Sequence, residues 1–313
     1  MAIKYSLVIP VYKNAESINS LINVITKMAS ELNNSLEVIF VIDGSPDNSF
    51  ELIQAKIPEL NYSATIISHS RNFGSFAAIR TGLSEAKGLY CCVMAADLQE
   101  PVSLFIEMFK VLDLNKSDVV VGTRDSRKDP ISTRLMSSLY WKLYKKYVVK
   151  DIPVGGVDVF GCNEVFKDQL LSLDESRTSL IALIYWLGFR RSEVTYVRLE
   201  RQDGHSAWTM RKKFDYMLDS VFSFTDLPIR ILIRTGAFGI LVAIALGLIV
   251  FISRVFGVIT EPGYSTTVVL IVLFGALNIL GLGLTAEYAW RAYENTKNRP
   301  QSVTLGKIKN DKQ

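Results

Sequence analysis

Two runs without a single charged residue, 235–253 and 264–286, most constrain what this 313-residue chain can fold into. A bilayer's hydrocarbon core is crossed by ~20 apolar helical residues, whose backbone must satisfy its own hydrogen bonds. Each run is long enough. The expectation is a hairpin of two transmembrane helices at 235–255 and 265–287, joined by a short loop that holds Gly257, Pro262 and Gly263. The competing reading is a pair of buried core helices, but two such runs so closely joined are unusual in a soluble core. Arg230 and Arg234 precede the first run, and Arg291, Lys297 and Arg299 follow the second. The positive-inside rule therefore puts both ends on the cytoplasmic side.

The first two thirds of the chain read as an α/β domain. Apolar strands are expected at 5–11, 36–42, 64–67, 89–95 and 118–121, with helices at 15–32 and 75–86. Near-continuous apolar strands separated by helices imply a mostly parallel sheet covered on both faces. Such sheets bind ligands beyond the carboxyl ends of their strands. Pro10, Asp43, Asp97 and the stretch from Gly122 to Arg124 fall there. Further on, the pattern predicts a basic, aromatic-rich helix at 132–149 and a short strand at 155–160. Helices at 164–172 and 177–188 and a strand at 192–199 follow. Residues 211–233 are amphipathic. Phe214, Met217, Leu218, Val221, Phe222 and Phe224 lie among Arg211, Lys212, Lys213 and Asp215, as in a helix lying in a membrane interface. For the first half of that stretch a core helix is an equal alternative. The expected organisation is an α/β domain at 1–210, an interface region at 211–234, the hairpin within 235–290 and a cytosolic tail at 291–313. No secretory signal is read at the start, because the apolar stretch 5–11 is too short. The α/β domain is therefore expected in the cytosol.

Hydrophobic residues make up 49% of the chain, which fits an apolar hairpin. A net charge of only +4 argues against a polyanion binder, so no nucleic-acid partner is implied. The basic residues are nevertheless clustered. One group is Arg124, Arg127, Lys128, Arg134, Lys142, Lys145 and Lys146; another is Arg198, Arg201, Arg211, Lys212 and Lys213. These are either solvated helix faces or contacts to phosphates and anionic head groups. Cys91, Cys92 and Cys162 show neither metal-ligand spacing nor a disulfide framework, and His69 and His205 cannot form a zinc site alone.

Asp43 opens the turn Asp43-Gly44-Ser45-Pro46-Asp47, where a carboxylate can accept hydrogen bonds from a base or ribose. Asp-Gly turns are also common without any ligand. Asp97-Leu98-Gln99-Glu100-Pro101 offers the oxygen donors that suit Mg2+ or Mn2+, or else a polar cap before Pro101. Arg71-Asn72-Phe73-Gly74 can meet a phosphate or sugar, or be a plain turn.

In order along the chain stand VIPVYKNAESI, VIDGSPDNS, SRNFGSFAAIRTGL, AADLQEP, VGTRDSRKDP, GGVDVF and YAWRAYENTKNRP. The set strongly resembles the polyprenol-phosphate glycosyltransferases. These are inverting family 2 enzymes of GT-A fold that include bactoprenol glucosyltransferases and dolichol-phosphate mannose synthases. The resemblance covers nearly the whole chain, and the two-span tail is most similar to the bactoprenol branch. It implies that Pro10, Tyr12, Glu16, Asp43 and Asp97 bind the nucleotide sugar. It implies that Asp97 and Gln99 hold Mg2+ or Mn2+, that Arg124 and Arg127 meet phosphates from a mobile loop, and that Asp158 lies near the acceptor. Arg201, Ser206, Trp208 and Lys212 match the segment for donor or lipid phosphate. One position departs: the metal motif usually begins with an aspartate, and this chain has Ala95.

The implied reaction moves a hexose, glucose first, from a UDP-sugar to polyprenyl phosphate with inversion, at the cytoplasmic face of the plasma membrane. Implied partners are the UDP-sugar, the lipid, the membrane and, as an open alternative, a second copy of the chain. A phosphate monoester with a second pKa near ~6 is already mostly ionised at neutral pH, so Asp158 reads as a positioning group first and a base second. Competing readings are another sugar nucleotide, a processive synthase and a non-catalytic membrane scaffold. The synthase would need a Gln-x-x-Arg-Trp motif, which the chain lacks. Ala95 favours the scaffold.

Overall fold

The computed structural model describes residues 3–124, 144–145, 152–153, 157, 159–175, 178–199, 210–256 and 263–310. They form two units: Met1–Lys213 with Pro300–Gln313, and Phe214–Arg299.

The first unit is built on an eight-stranded sheet. In chain order its elements are β1 (Tyr5–Val11), α1 (Ile18–Glu31), β2 (Leu36–Ile42), α2 (Ser49–Lys56), β3 (Ser63–His69) and α3 (Ser75–Glu85). Then come β4 (Tyr90–Val93), α4 (Val102–Asp113), β5 (Val119–Arg124), β6 (Val159–Asn163), α5 (Glu164–Ser172), α6 (Leu180–Trp186) and β7 (Arg191–Tyr196). The strand β8 (Thr304–Asn310) joins them after the second unit. The sheet order is β7-β5-β6-β4-β1-β2-β3-β8.

The expected parallel centre is present. β1 pairs in parallel with β2 and β4, β2 with β3, and β5 with β7. Two strands run the other way: β6 pairs antiparallel with both β4 and β5, and β8 pairs antiparallel with β3. Both sheet faces are covered. Leu7, Ile9 and Val11 of β1 join the cluster formed with Leu21, Ile25 and Phe105 of α1 and α4. Val8 points to the opposite face, as strand alternation requires, and meets α3 there. A Cβ on Gly82 of α3 would stand 2.2 Å from Val8 Cγ1, so only glycine lets α3 approach this closely. Of the strand expected at 155–160, residues 159–160 belong to β6, which runs on to Asn163, while 155, 156 and 158 lie outside the described residues. Of the helix expected at 132–149, only residues 144–145 are described. The tail after residue 299, for which no element was expected, contributes β8.

The second unit holds most of α7 (Met210–Phe224), together with α8 (Leu227–Val255) and α9 (Tyr264–Thr296). The amphipathic stretch thus ends at Phe224, and the first apolar helix begins at Leu227, earlier than 235. The break has a local cause. Thr225 Oγ1 accepts from Leu227 N–H at 3.3 Å, and Pro228 fits the first turn of a helix, where no N–H partner is needed. Among the described residues, one segment, Leu227–Leu246, is long and apolar enough to cross a membrane; its mean hydropathy is 2.0 and none of it is buried. Ile233, Phe238, Leu241, Ile244 and Leu248 of α8 are exposed, as are Ile271, Ile279 and Leu282 of α9. Exposed apolar surface of this extent marks an interaction with a membrane or another protein.

Candidate active site

The sheet topology collects the candidate residues on one edge. β4, β1, β2 and β3 are parallel, so their carboxyl ends lie together. Two successive reversals through β6 make β5 parallel to β4, and β7 follows β5. β8 is antiparallel to β3, so it enters the sheet on that same edge. Between β1 and β4 the strand order reverses direction, the switch point at which open α/β sheets bind ligands.

Pro10 and Tyr12 lie at the end of β1, and Glu16 is exposed in the single turn that follows. Asp43 follows β2, Asp97 and Gln99 follow β4, and Arg124 is the last residue of β5. The fold brings these seven to the same edge. Arg127, Asp158, Arg201, Ser206 and Trp208 lie outside the described residues, and Lys212 is described only as backbone in α7.

Asp43 is just 2% exposed. Its Oδ1 accepts from Phe73 N–H at 2.8 Å and lies 2.9 Å from His69 Nδ1; its Oδ2 accepts from Gly74 N–H at 2.8 Å. The carboxylate thus holds the Arg71–Gly74 loop, and its reach toward a ligand runs through that loop. Gly44 allows the loop to lie against the turn. It has φ +58°, and a Cβ there would stand 2.2 Å from the Arg71 carbonyl carbon. In the loop, the Arg71 guanidinium stacks 4.1 Å from the Phe73 ring.

Asp47, absent from the sequence candidates, clamps the loops after β1 and β2. It accepts from Ala15 N–H at 3.0 Å, from Ser45 Oγ at 2.6 Å and from Ser49 Oγ at 2.8 Å. Burial alone would push its carboxyl up, but these hydrogen bonds outweigh it and hold the group below its usual range. Lys13 N–H donates to Ser45 Oγ at 2.7 Å and completes the clamp.

After β4 the backbone is unusual. Leu98 has φ +54°, a left-handed conformation that is costly for a branched apolar residue and is typically kept at functional sites. It separates Asp97 from Gln99. Gln99 Oε1 accepts from Arg198 Nη2, and Gln99 O accepts from Leu199 N–H at 2.9 Å, so the segment after β7 is tied to the end of β4. Ser17 Oγ donates to Ala96 O at 2.9 Å and ties the start of α1 to the same point. Among the described residues no three His, Cys, Asp or Glu side chains cluster as a metal site. Asp97 supplies one hard oxygen donor, which is the protein share that a Mg2+ bound chiefly by substrate phosphates and water requires. Gln99 fits less freely, because its oxygen already carries a guanidinium donor.

The sequence matches the family described as Glycosyl transferase family 2 over residues 6–172. A Bacillus subtilis (strain 168) protein named as a glycosyltransferase, CsbB, is 35% identical over 234 residues, covering 75% of this chain and 71% of its own. A bactoprenol glucosyl transferase of Shigella phage SfV is 27% identical over 250 residues, covering 79% of each chain. Among solved structures, the Pyrobaculum calidifontis mannosyltransferase PcManGT, in complex with GDP-Man and Mn2+, superposes with a TM-score of 0.48 at 15% identity. That match covers 90% of this chain and 88% of the other. The mixed sheet with its parallel centre is of the GT-A type expected from the sequence. With a family match running from β1 through α5, over more than half of its length, the chain belongs to glycosyltransferase family 2.

Proposed function

We propose that this glycosyltransferase moves a hexose, glucose first, from a UDP-sugar to polyprenyl phosphate, at the cytoplasmic face of the plasma membrane. The observation that carries the reading is the presence in one chain of a family 2 domain, with its polar residues on one sheet edge, and of an exposed apolar helix of membrane-spanning length. The relatives named bactoprenol glucosyl transferase support it. A phosphate oxygen of the lipid attacks the anomeric carbon, the bond from that carbon to the UDP oxygen breaks, and UDP leaves with the electron pair. The acceptor is already ionised near neutral pH, since its second pKa is about 6, so the main task is to bring two anions together.

The residues divide that task. Pro10, Tyr12 and Glu16 line the donor's base and ribose, and Asp43 acts there through the loop it holds. Arg124 and Arg127 meet phosphates, with Arg201, Ser206, Trp208 and Lys212 on the donor or lipid phosphate, and Asp158 positions the acceptor. Mg2+ or Mn2+, when bound, neutralises the charge of the diphosphate. Asp97 would hold it, and Gln99 would do so by sharing its oxygen with Arg198. α8 and α9 are the two membrane spans, with α7 along the interface. The spans keep the lipid head group near the site, a proximity effect.

The test is transfer by the full chain in detergent to undecaprenyl phosphate from a panel of UDP-glucose, UDP-N-acetylhexosamines and GDP-mannose. Nucleotide release and the mass of the lipid product are followed. A lipid-linked hexose formed from UDP-glucose is the expected result. Transfer from another donor alone replaces the sugar, and donor binding without any lipid product leaves a non-catalytic scaffold.

A further inference from the structure

We infer that Ser302, Thr81 and His69 are positioning residues for the donor site: a side-chain relay by which the segment after α9 holds the Arg71–Gly74 loop in place. This rests on the donor reading above for what the loop serves, but not for the relay itself.

The relay is continuous. Asp43 Oδ1 lies 2.9 Å from His69 Nδ1, His69 Nε2 lies 3.0 Å from Thr81 Oγ1, and Thr81 Oγ1 lies 2.8 Å from Ser302 Oγ. The direction at its Asp43 end follows from the acceptor there. The Asp43 carboxylate takes hydrogen bonds from Phe73 and Gly74 N–H and has none to give, so the His69 ring donates from Nδ1. In a neutral ring Nε2 then accepts from the Thr81 hydroxyl. With its proton so used, Thr81 Oγ1 accepts from Ser302. Four residues from four parts of the sequence thus form one hydrogen-bonded chain. The ring is buried and meets Phe73 edge-on at 5.6 Å between centroids, which fixes the same loop by packing.

The Ser302 end is itself anchored. Val303 O accepts from Ser70 N–H at 2.9 Å, and Thr304 pairs with His69 where the register of β3 and β8 shifts. Backbone and side chain therefore both tie residues 302–304 to the 69–74 segment. What residues 302–304 do is fix the geometry of a loop at the switch-point edge. A hydrogen-bonded network with a buried end of this kind specifies one arrangement, and a break at Thr81 leaves the buried His69 ring short of a partner.

The experiment uses the full chain in detergent with Thr81→Val, Ser302→Ala and the conservative Thr81→Ser. Two readings are taken: amide hydrogen exchange across residues 70–76, and UDP affinity by calorimetry. Thr81→Val is expected to speed exchange at Phe73 and Gly74 about tenfold, to weaken UDP binding by a similar factor and to raise the donor KM more than it lowers kcat. Ser302→Ala should do the same more weakly, and Thr81→Ser should restore both readings. Unchanged exchange and unchanged affinity in folded Thr81→Val overturn the inference. Should Thr81→Val fail to fold, Ser302→Ala, at a half-buried surface position, decides by the same two readings. If wild-type protein binds no UDP while exchange still responds to the variants, the donor reading fails and the relay stands.

Discussion

Asp97 stands at the end of β4 next to the left-handed Leu98, and Ala95 leaves it without the neighbouring carboxylate usual in the motif. Under the proposed function the charge of that one group therefore matters more than in a paired site. Asp97→Asn should lower transfer on the order of 100-fold with the melting temperature unchanged. Near-normal turnover in folded protein would take Asp97 out of the site. Asp47 makes a different prediction, because its partners belong to the frame. Its folded carboxyl lies below the ordinary value of 3.8, so its stabilising share is present above that value and is lost as the pH falls through the lower folded one. In Asp47→Asn the acid limb of a stability curve, measured by thermal unfolding between about pH 3 and 6, should be shallower than in wild type. An identical acid limb would mean that the clamp carries no charge-dependent stability. For Asp158 the acceptor's own ionisation decides. Transfer should rise between about pH 5.5 and 7, and Asp158→Asn should lower the rate yet keep that rise. Loss of the rise, with rescue by an added base, would make Asp158 the general base.

At the scale of elements, β8 is the piece whose removal is most telling. It covers β3, whose side chains are nearly all buried, and Ile308 packs against the core. A chain ending at residue 303 keeps Ser302 but opens the β3 edge. It should melt several degrees lower and self-associate in size-exclusion chromatography, because an unpaired apolar edge templates pairing with other chains. A monodisperse product with an unchanged melting temperature would show that β8 is decoration. The same element marks the limit of what the sequence discloses. β1, β2 and β3 are legible because their buried apolar runs leave no other reading. Thr304-Leu-Gly-Lys-Ile-Lys-Asn carries two lysines and a glycine and is mostly exposed, as suits an edge strand, so its alternation is too weak to see. β6 runs past the expected strand end for a similar reason: Gly161 and Cys162 pack against β4 without a long apolar run. In the site, strand-end position finds Asp43 and Asp97 but not the direction in which Asp43 points. That depends on His69, Phe73 and Gly74, which only the fold brings to it. Thr81 and Ser302 carry no local signal at all.

For the whole molecule the proposed function divides its tasks between the two units. An obvious truncation at residue 235 would remove the helices but also β8 and Ser302, and so would confuse anchoring with folding. Replacing residues 214–299 by a Gly/Ser linker of about 20 residues retains all of the first unit as one chain. That protein should bind UDP like wild type and transfer poorly to long-chain lipid phosphate. Equal turnover on undecaprenyl phosphate in detergent would remove the helices from acceptor delivery. The pairing of β3 with β8 also sets a timetable for biosynthesis. Ser63 Oγ donates to Asn310 O across 247 positions of sequence. At roughly 5–20 residues per second, synthesis leaves β3 without its neighbour for on the order of 10–50 seconds while the intervening residues, the apolar helices among them, are being made. The nascent domain must endure that interval with an open edge, and a ribosome that stalls in between releases a chain whose exposed strand marks it for chaperones and proteases.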